Sequence, residues 1–546
     1  MPISASPSPT RGARPAVSPF ALNIAVAVYL MALCNQTFWG HLFRIFDGHT
    51  AAALIFAAAV WALTLLFIGL FAVRRAQKPV LVALLVIAAV TSYYMDALGV
   101  VIDRDMIQNA ATTTIAESKH LITPAFLLHV LLYGVLPAAV VLWFRIRRTG
   151  VWRSLAGWTL VNTLATALVV GLLFSNYKDF SSVLREDKEL LASVQPLAPI
   201  SGAVRYVRML MKSRDIVLQP TGTDARPGPY LAAASKPVLF VIVAGETGRA
   251  ESWSLGGYAR DTNPELAKRD IAYFSDVSSC GTATATSLPC MFSPLTRAEY
   301  SFEGGLSHEN LLDVMARSGF KVEWWDNNTG DKKIAARLPS RFMTAADGAE
   351  FCTPECIDAV FLKRLQDTAA SITQNTVIVL HQIGSHGPSY WLRYPADREV
   401  FKPTCQTPEV MNCSAEEIVN AYDNTIAYTD WFLAQVIDRL DAQDRVFPAM
   451  FYVSDHGENL GENGIYLHGT PYFMAPGEQT QVPMVLWMSK RYQAALGLPQ
   501  DCLKERRDQP ASHDNMFSTI LGMADISTTA RDDALDLSAG CRAQGS

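Results

Sequence analysis

Five stretches in the first third of the chain are apolar and nearly uncharged: residues 20–40, 50–73, 79–95 (running on past Asp96 to Val101), 121–144 and 154–177. Crossing the hydrocarbon of a bilayer takes roughly 20 helical residues at about 1.5 Å each. Buried core helices rarely run ~18 residues without a charge. The pattern therefore predicts five membrane-spanning helices. Basic residues flank them unevenly. Arg11, Arg14, Arg74, Arg75, Lys78, Arg145, Arg147, Arg148 and Arg153 lie on one side, and only Arg44, Arg104 and Lys119 on the other. The positive-inside rule places the N-terminus in the cytoplasm and everything after Tyr177 outside. The first stretch is too long for the apolar core of a cleaved signal and has no clear small-x-small site.

Residues 178–236 read as a connector that ends in a linker rich in Pro, Gly, Thr and Ala. Within it, Arg205, Arg208 and Lys212 fall on one helical face, with Val204, Val207 and Leu210 among the apolar positions. That predicts a helix lying on an anionic membrane surface, with a plain solvated helix as the alternative. From Pro237 the texture changes. Short runs rich in Val, Ile and Phe (238–244, 321–325, 376–381, 449–454, 482–487) alternate with helical stretches (308–318, 356–369, 415–440, 513–524). Such alternation predicts a parallel sheet covered on both faces. The expected division is a transmembrane domain (1–177), a connector (178–236) and an exported α/β domain (237–546).

Composition agrees. Of 546 residues 50% are hydrophobic and 18% charged, too apolar for an ordinary soluble enzyme. A net charge of −5 gives no sign of a nucleic-acid binder. Of nine cysteines only Cys34 precedes residue 280. The other eight fall in the exported part, where an even number reads as disulfides. Short spacing favours Cys280–Cys290, Cys352–Cys356, Cys405–Cys413 and Cys502–Cys541. A zinc cluster is the weaker alternative, since no CxxC pair is present.

In α/β sheets ligands gather at the carboxyl ends of the strands. There the sequence places Gly245-Glu246-Thr247, the run from His381 to Gly387, Ser454-Asp455-His456-Gly457-Glu458 and His468-Gly469. Glu246, His386, Asp455, His456 and His468 are thus expected on one rim, and mixed carboxylate and imidazole donors suit zinc. Between Cys280 and Cys290 lies a hydroxyl-rich segment. A hydroxyl becomes a nucleophile when a metal or base activates it, and composition does not choose among Thr282, Thr284, Thr286 and Ser287.

These motifs, in this order, resemble the lipid A phosphoethanolamine transferases, which include the mobile colistin-resistance enzymes. The resemblance extends over nearly the whole chain. It implies five spans and a periplasmic domain of the alkaline phosphatase/sulfatase superfamily. It implies that Thr284 is the nucleophile and that zinc is held by Thr284, Glu246, Asp455 and His456. His386 and His468 would bind phosphate, protonate a leaving group or hold a second zinc. The segment Trp325-Asp326-Asn327-Asn328-Thr329-Gly330-Asp331-Lys332 matches one whose hydroxyl and lysine contact the headgroup, here Thr329 and Lys332. Asn109, Thr113 and Glu117, at i, i+4 and i+8 of an expected helix, match a site for the ethanolamine ammonium. The implied protein is a monomeric inner-membrane enzyme that moves phosphoethanolamine from phosphatidylethanolamine to a lipid A phosphate, releases diacylglycerol and confers polymyxin resistance. A lipopolysaccharide core sugar or a periplasmic glucan is the alternative acceptor. A sulfatase would need a modified cysteine or serine at position 284, and a receptor with a degenerate hydrolase domain would lack some of the ligands.

Overall fold

The computed structural model describes residues 14–71, 73, 75–113, 115–147, 150–176, 180 and 188–542, without the side chains of 115–117, 188 and 189. Arg11, Arg74, Arg148 and Tyr177, used above, lie outside these. The chain forms two compact units. One comprises the described residues up to Asp103 with Ile122–Ser201, the other Arg104–Leu121 with the chain from Gly202 onward.

The first unit is helical. Four described helices are long and apolar enough to cross a membrane: Thr50–Phe71, Gln77–Leu98, Pro124–Trp143 and Val151–Ser175. The expected first span is instead two helices, Pro19–Leu33 and Gln36–Ile45, bent by 67°, so the count reaches five only when this pair is taken as one span. Asn35 sits at the bend. Its buried amide donates to the carbonyls of Leu30 (2.9 Å) and Gln195 (3.0 Å) and accepts from the Gln195 N–H at 2.7 Å. Backbone groups freed by the break are thereby satisfied inside the unit, as hydrocarbon requires. Residues Leu131–Val135 are π-helical. Pro137 offers no N–H to the Tyr133 carbonyl one turn back, and that oxygen accepts the Tyr29 hydroxyl at 3.0 Å.

The second unit is built on a seven-stranded sheet. In chain order its strands are β1 (Val238–Gly245), β2 (Ile271–Phe274), β3 (Lys321–Asp326), β4 (Ser340–Phe342), β5 (Thr376–His381), β6 (Phe447–Ser454) and β7 (Met484–Met488), arranged β2-β7-β6-β1-β5-β3-β4. All eight residues of central β1 are buried, which is why it reads as an unbroken apolar run. β6, β1, β5 and β3 are parallel, as expected, and β4 adds to them in the same direction. The sheet as a whole is mixed, because β7 runs antiparallel to both neighbours. A parallel return needs a crossover of a dozen or more residues, usually a helix. Between β6 and β7 the described helical elements are only Glu462–Gly464 and Gly477–Thr480. β2 and β4 were not expected from the sequence; β4 has three exposed residues and no apolar pattern.

The helix expected over residues 308–318 begins at Leu311, because Asn310 and Asp313 form a capping box there. All four expected cysteine pairs are bonded, and Cys34 is the free, buried one. Denatured without reductant, the full chain is expected to expose one reactive thiol by thiol titration, and nine after reduction. More than one before reduction contradicts the pairing.

Candidate active site

Four parallel strands deliver their carboxyl ends to one place. β1 runs into Glu246 and Thr247, β6 into Asp455 and His456, β3 into Asn327 and Asn328, and β5 ends on His381. Glu246, Asp455 and His456 are 0–2% exposed, and one ligand atom from each lies within 4.8 Å of the others. His456 Nε2 is 3.4 Å from both Glu246 Oε1 and Asp455 Oδ2. The Thr284 hydroxyl, at the start of the helix Thr284–Met291, donates to Glu246 at 3.1 Å and lies 3.4 Å from His456 Nε2. The four expected ligands therefore meet.

Local backbone geometry makes the meeting possible. Thr247 has φ +58°, a region costly for a branched side chain. The turn aims its N–H at Asp455 Oδ1 (3.1 Å), and its hydroxyl donates to Glu246 Oε1 (2.7 Å). Gly384 has φ +49°, and a Cβ there would lie 2.6 Å from the Glu246 carbonyl, so only glycine lets the His386 loop approach.

The donors fit a metal ion. His456 Nδ1 donates to the Gly457 carbonyl at 2.9 Å, which leaves Nε2, facing the carboxylates, as the atom that would give a lone pair to a metal ion once its own proton is displaced. Among the described residues the buried Asp455 Oδ2 has no hydrogen-bond partner, which is costly unless a cation faces it. Burial by itself would lower His456, but Asp455 and Glu246 raise it to about 10. Burial and Glu246 push Asp455 up, whereas Glu246, despite its burial, is held well below the carboxylate range by His456, His386 and His381. The cluster demands positive charge.

Residues outside the expected set support it. Asn328 donates to Glu246 Oε2 at 2.6 Å. His381 Nδ1 meets Asp326 Oδ2 at 2.6 Å, and Asp326 also accepts from Trp324 Nε1 and the Asn328 N–H. Glu458 meets His468 Nδ1 and accepts the Tyr390 hydroxyl, both at 2.9 Å. All but Tyr390 lie in or beside the quoted motifs, yet only their pairing across strand ends reveals their roles.

The other expected residues divide. The His468 ring lies tilted against that of His456 with centres 4.4 Å apart, and the His386 ring centre lies 5.5 Å from that of His468. Among the described residues the buried Thr329 hydroxyl has no hydrogen-bond partner, and Lys332 Nζ donates to the carbonyls of Thr329 and Thr112. Asn109 and Thr113 do not share one helix with residue 117. The helix Arg104–Thr112 ends before Thr113, and a second runs Ile115–Leu121. The hydroxyls of Thr112 and Thr113 bond back to the Gln108 and Asn109 carbonyls, in the middle of a three-threonine run, and so compete with continued helix. The Glu117 side chain lies outside the described ones.

The sulfatase family model matches residues 239–526, and that of "Phosphoethanolamine transferase EptA/EptB" matches residues 60–210. Phosphoethanolamine transferase EptA of Escherichia coli (strain K12) is 40% identical over 472 residues, 85% of this chain and 86% of that protein. The chain belongs to the phosphoethanolamine transferase family. Phosphatidylethanolamine transferase Mcr-1 of Escherichia coli is 37% identical over 94% of this chain and 96% of its own length. The solved structure of the integral membrane protein lipooligosaccharide phosphoethanolamine transferase A from Neisseria meningitidis matches 97% of this chain and 99% of its own, with 33% identity and a TM-score of 0.93. This transferase is accordingly an inner-membrane enzyme with its catalytic domain in the periplasm.

One buried histidine of the transferase is structural. His513 Nδ1 accepts the Cys280 N–H at 3.0 Å, so Nε2 donates to the Ser454 carbonyl at 2.9 Å. Burial lowers its pKa to about 4. A histidine lowered on folding binds its proton more readily when unfolded, so stability is full above pH 6.5 and falls as the pH drops toward 4. The wild-type protein should lose on the order of 3 kcal/mol more than His513→Gln between pH 7 and pH 4. Denaturant unfolding of both proteins in detergent checks this, and parallel pH profiles contradict it.

Proposed function

We propose that the enzyme transfers phosphoethanolamine from phosphatidylethanolamine to a lipid A phosphate through a covalent intermediate on Thr284. The observation that carries this reading is the Thr284 hydroxyl, held against Glu246 and His456 beside the unpartnered Asp455 Oδ2. Glu246, Asp455, His456 and Thr284 would hold one zinc ion. When bound, zinc supplies a Lewis acid for phosphoryl oxygens and lowers the pKa of an oxygen acid.

In the first displacement Thr284 Oγ1 forms a bond to phosphorus as the bond to the diacylglycerol oxygen breaks. The hydrogen bond to Glu246 orients the hydroxyl and gives its proton a way out. His386 or His468 protonates the departing oxygen. The Nδ1 contact with Glu458 fixes the His468 ring for that task. In the second displacement an acceptor phosphate oxygen forms a bond to phosphorus as the Thr284 Oγ1–phosphorus bond breaks; Thr284 regains its proton by way of Glu246, and the histidine that protonated diacylglycerol is recharged by the acceptor's acidic proton or by water. Asn109, Thr113 and Glu117 would face the ammonium, and Thr329 and Lys332 the headgroup phosphate. Positioning supplies much of the rate in phosphoryl transfer. In this reading residues 1–177 anchor the enzyme in the bilayer, 178–236 connect, and 237–546 carry the chemistry. The lipooligosaccharide-modifying relative supports a lipid A type acceptor. Capping an anionic phosphate with an ammonium lowers outer-membrane charge, which fits polymyxin resistance.

Thr284→Ala in the full-length protein is expected to abolish diacylglycerol release from a fluorescent phosphatidylethanolamine without loss of folding, because a lone hydroxyl carries little stability. Near-normal turnover contradicts the assignment. Glu117→Gln should lower turnover with the membrane anchor intact, and a normal rate removes the membrane-side headgroup site. Mass spectrometry of lipid A from expressing cells should show added phosphoethanolamine. Its appearance only on core sugars or glucans would change the acceptor.

A further inference from the structure

The segment Arg104–Leu121 touches the site-bearing loops at several points. Gln108 Nε2 donates to the Ala285 carbonyl, next to Thr284, at 3.2 Å. Thr112 accepts from Lys332 at 3.3 Å. At its far end, His120 Nε2 lies 2.9 Å and Lys119 Nζ 3.4 Å from Glu355 Oε1. Glu355 stands in the short loop closed by Cys352 and Cys356. Its other oxygen accepts from Arg393 Nη1 at 2.6 Å, and Arg393 Nε donates to the backbone carbonyl of His386 at 2.8 Å. Arg393 is 2% exposed. One continuous set of ion pairs and hydrogen bonds therefore runs from Lys119 and His120 through Glu355 and Arg393 to His386.

A buried guanidinium needs a counterion. Among the described side chains it forms its ion pair with Glu355. Although burial would raise it, Arg393 and His120 hold the Glu355 carboxyl down to about 2, so the carboxylate is charged at neutral pH. The Arg393 guanidinium is thus held between Glu355 and the His386 carbonyl, two residues after the close approach of Gly384 to Glu246.

We propose that Glu355 is a positioning residue of the transfer reaction: by holding Arg393 it sets the place of His386 beside His468 and ties that place to the Lys119–His120 segment. The inference rests on the reading of His386 as a participant in transfer. Among the described side chains Glu355 pairs with Arg393, His120 and Lys119 and with none of Glu246, Asp455 and His456, so it acts on His386 through Arg393.

The test uses full-length protein in detergent with fluorescent phosphatidylethanolamine. Glu355→Gln keeps the shape and removes the charge. It is expected to lower kcat about tenfold with KM unchanged within about twofold. In a His386→Asn background the same substitution should cost less than about twofold, since the residue it positions is gone. An equal cost in both backgrounds means a merely structural role and overturns the proposal. A normal rate for His386→Asn alone overturns the reading of His386, which is a separate failure. Lys119→Ala with His120→Ala leaves the Glu355–Arg393 pair in place and covers the case in which Glu355→Gln does not fold. This variant should lower kcat about threefold, again only where His386 is present. An unchanged kcat cuts the segment out of the network and overturns the proposal as stated. In protein labelled with 13C-histidine, Glu355→Gln should move the His386 ring resonance and leave that of His513 in place. An unmoved His386 resonance also overturns it.

Discussion

Two carboxylates and an imidazole, all removed from water within a few ångströms of one another, set the terms for the rest of the molecule. Glu246 and Asp455 repel each other at a distance where low dielectric makes repulsion large. His456 relieves this in part, and its raised pKa measures how strongly the cluster asks for a cation. Among the described residues Asp455 Oδ2 has no hydrogen bond, only the 3.4 Å contact with His456. Everything nearby serves to hold the cluster against its own charge. Thr247 accepts a strained backbone to present an N–H to Asp455, Asn328 covers the second oxygen of Glu246, and Asp326 fixes His381 behind it.

The sheet makes this affordable. β1 is buried along its whole length between β6 and β5, so Glu246 and Asp455 project from adjacent, rigid, in-register strands, with Gly245 opposite Ser454. The helix that begins at Thr284 is tied at its entrance by the Cys280–Cys290 bond and by the Cys280 N–H to His513. The hydroxyl is thus held by covalent and hydrogen-bonded constraints rather than by a loose loop. Preorganisation of this kind lowers the cost of reaching a transition state. Lys119 and His120, from a part of the sequence between two apolar helices, reach the same site indirectly through Glu355.

The central strands were legible because a strand buried on both faces must be apolar along its length, as 238–244 and 377–380 are. The ligand motifs were legible because polar residues directly after such strands have nowhere to go but the sheet's edge. The direction of β7 was not, since period and composition are the same for either direction and only the lack of a helix before it decides. The two short strands β2 and β4 carry too few residues for a pattern. Asn109, Thr113 and Glu117 looked like one helical face because spacing takes no account of threonine hydroxyls competing for carbonyls. Asn328, His381, Glu458 and Arg393 were hidden because they have partners 82, 55, 68 and 38 residues away, which only the folded sheet brings together.

The claim that the buried cluster is built around a cation is tested most directly by anomalous X-ray scattering at the zinc absorption edge from crystals of the full-length protein. The account predicts a strong peak within bonding distance of Glu246, Asp455, His456 and Thr284 Oγ1. A zinc-loaded crystal with no peak there, or with its main peak between His386 and His468, would contradict it.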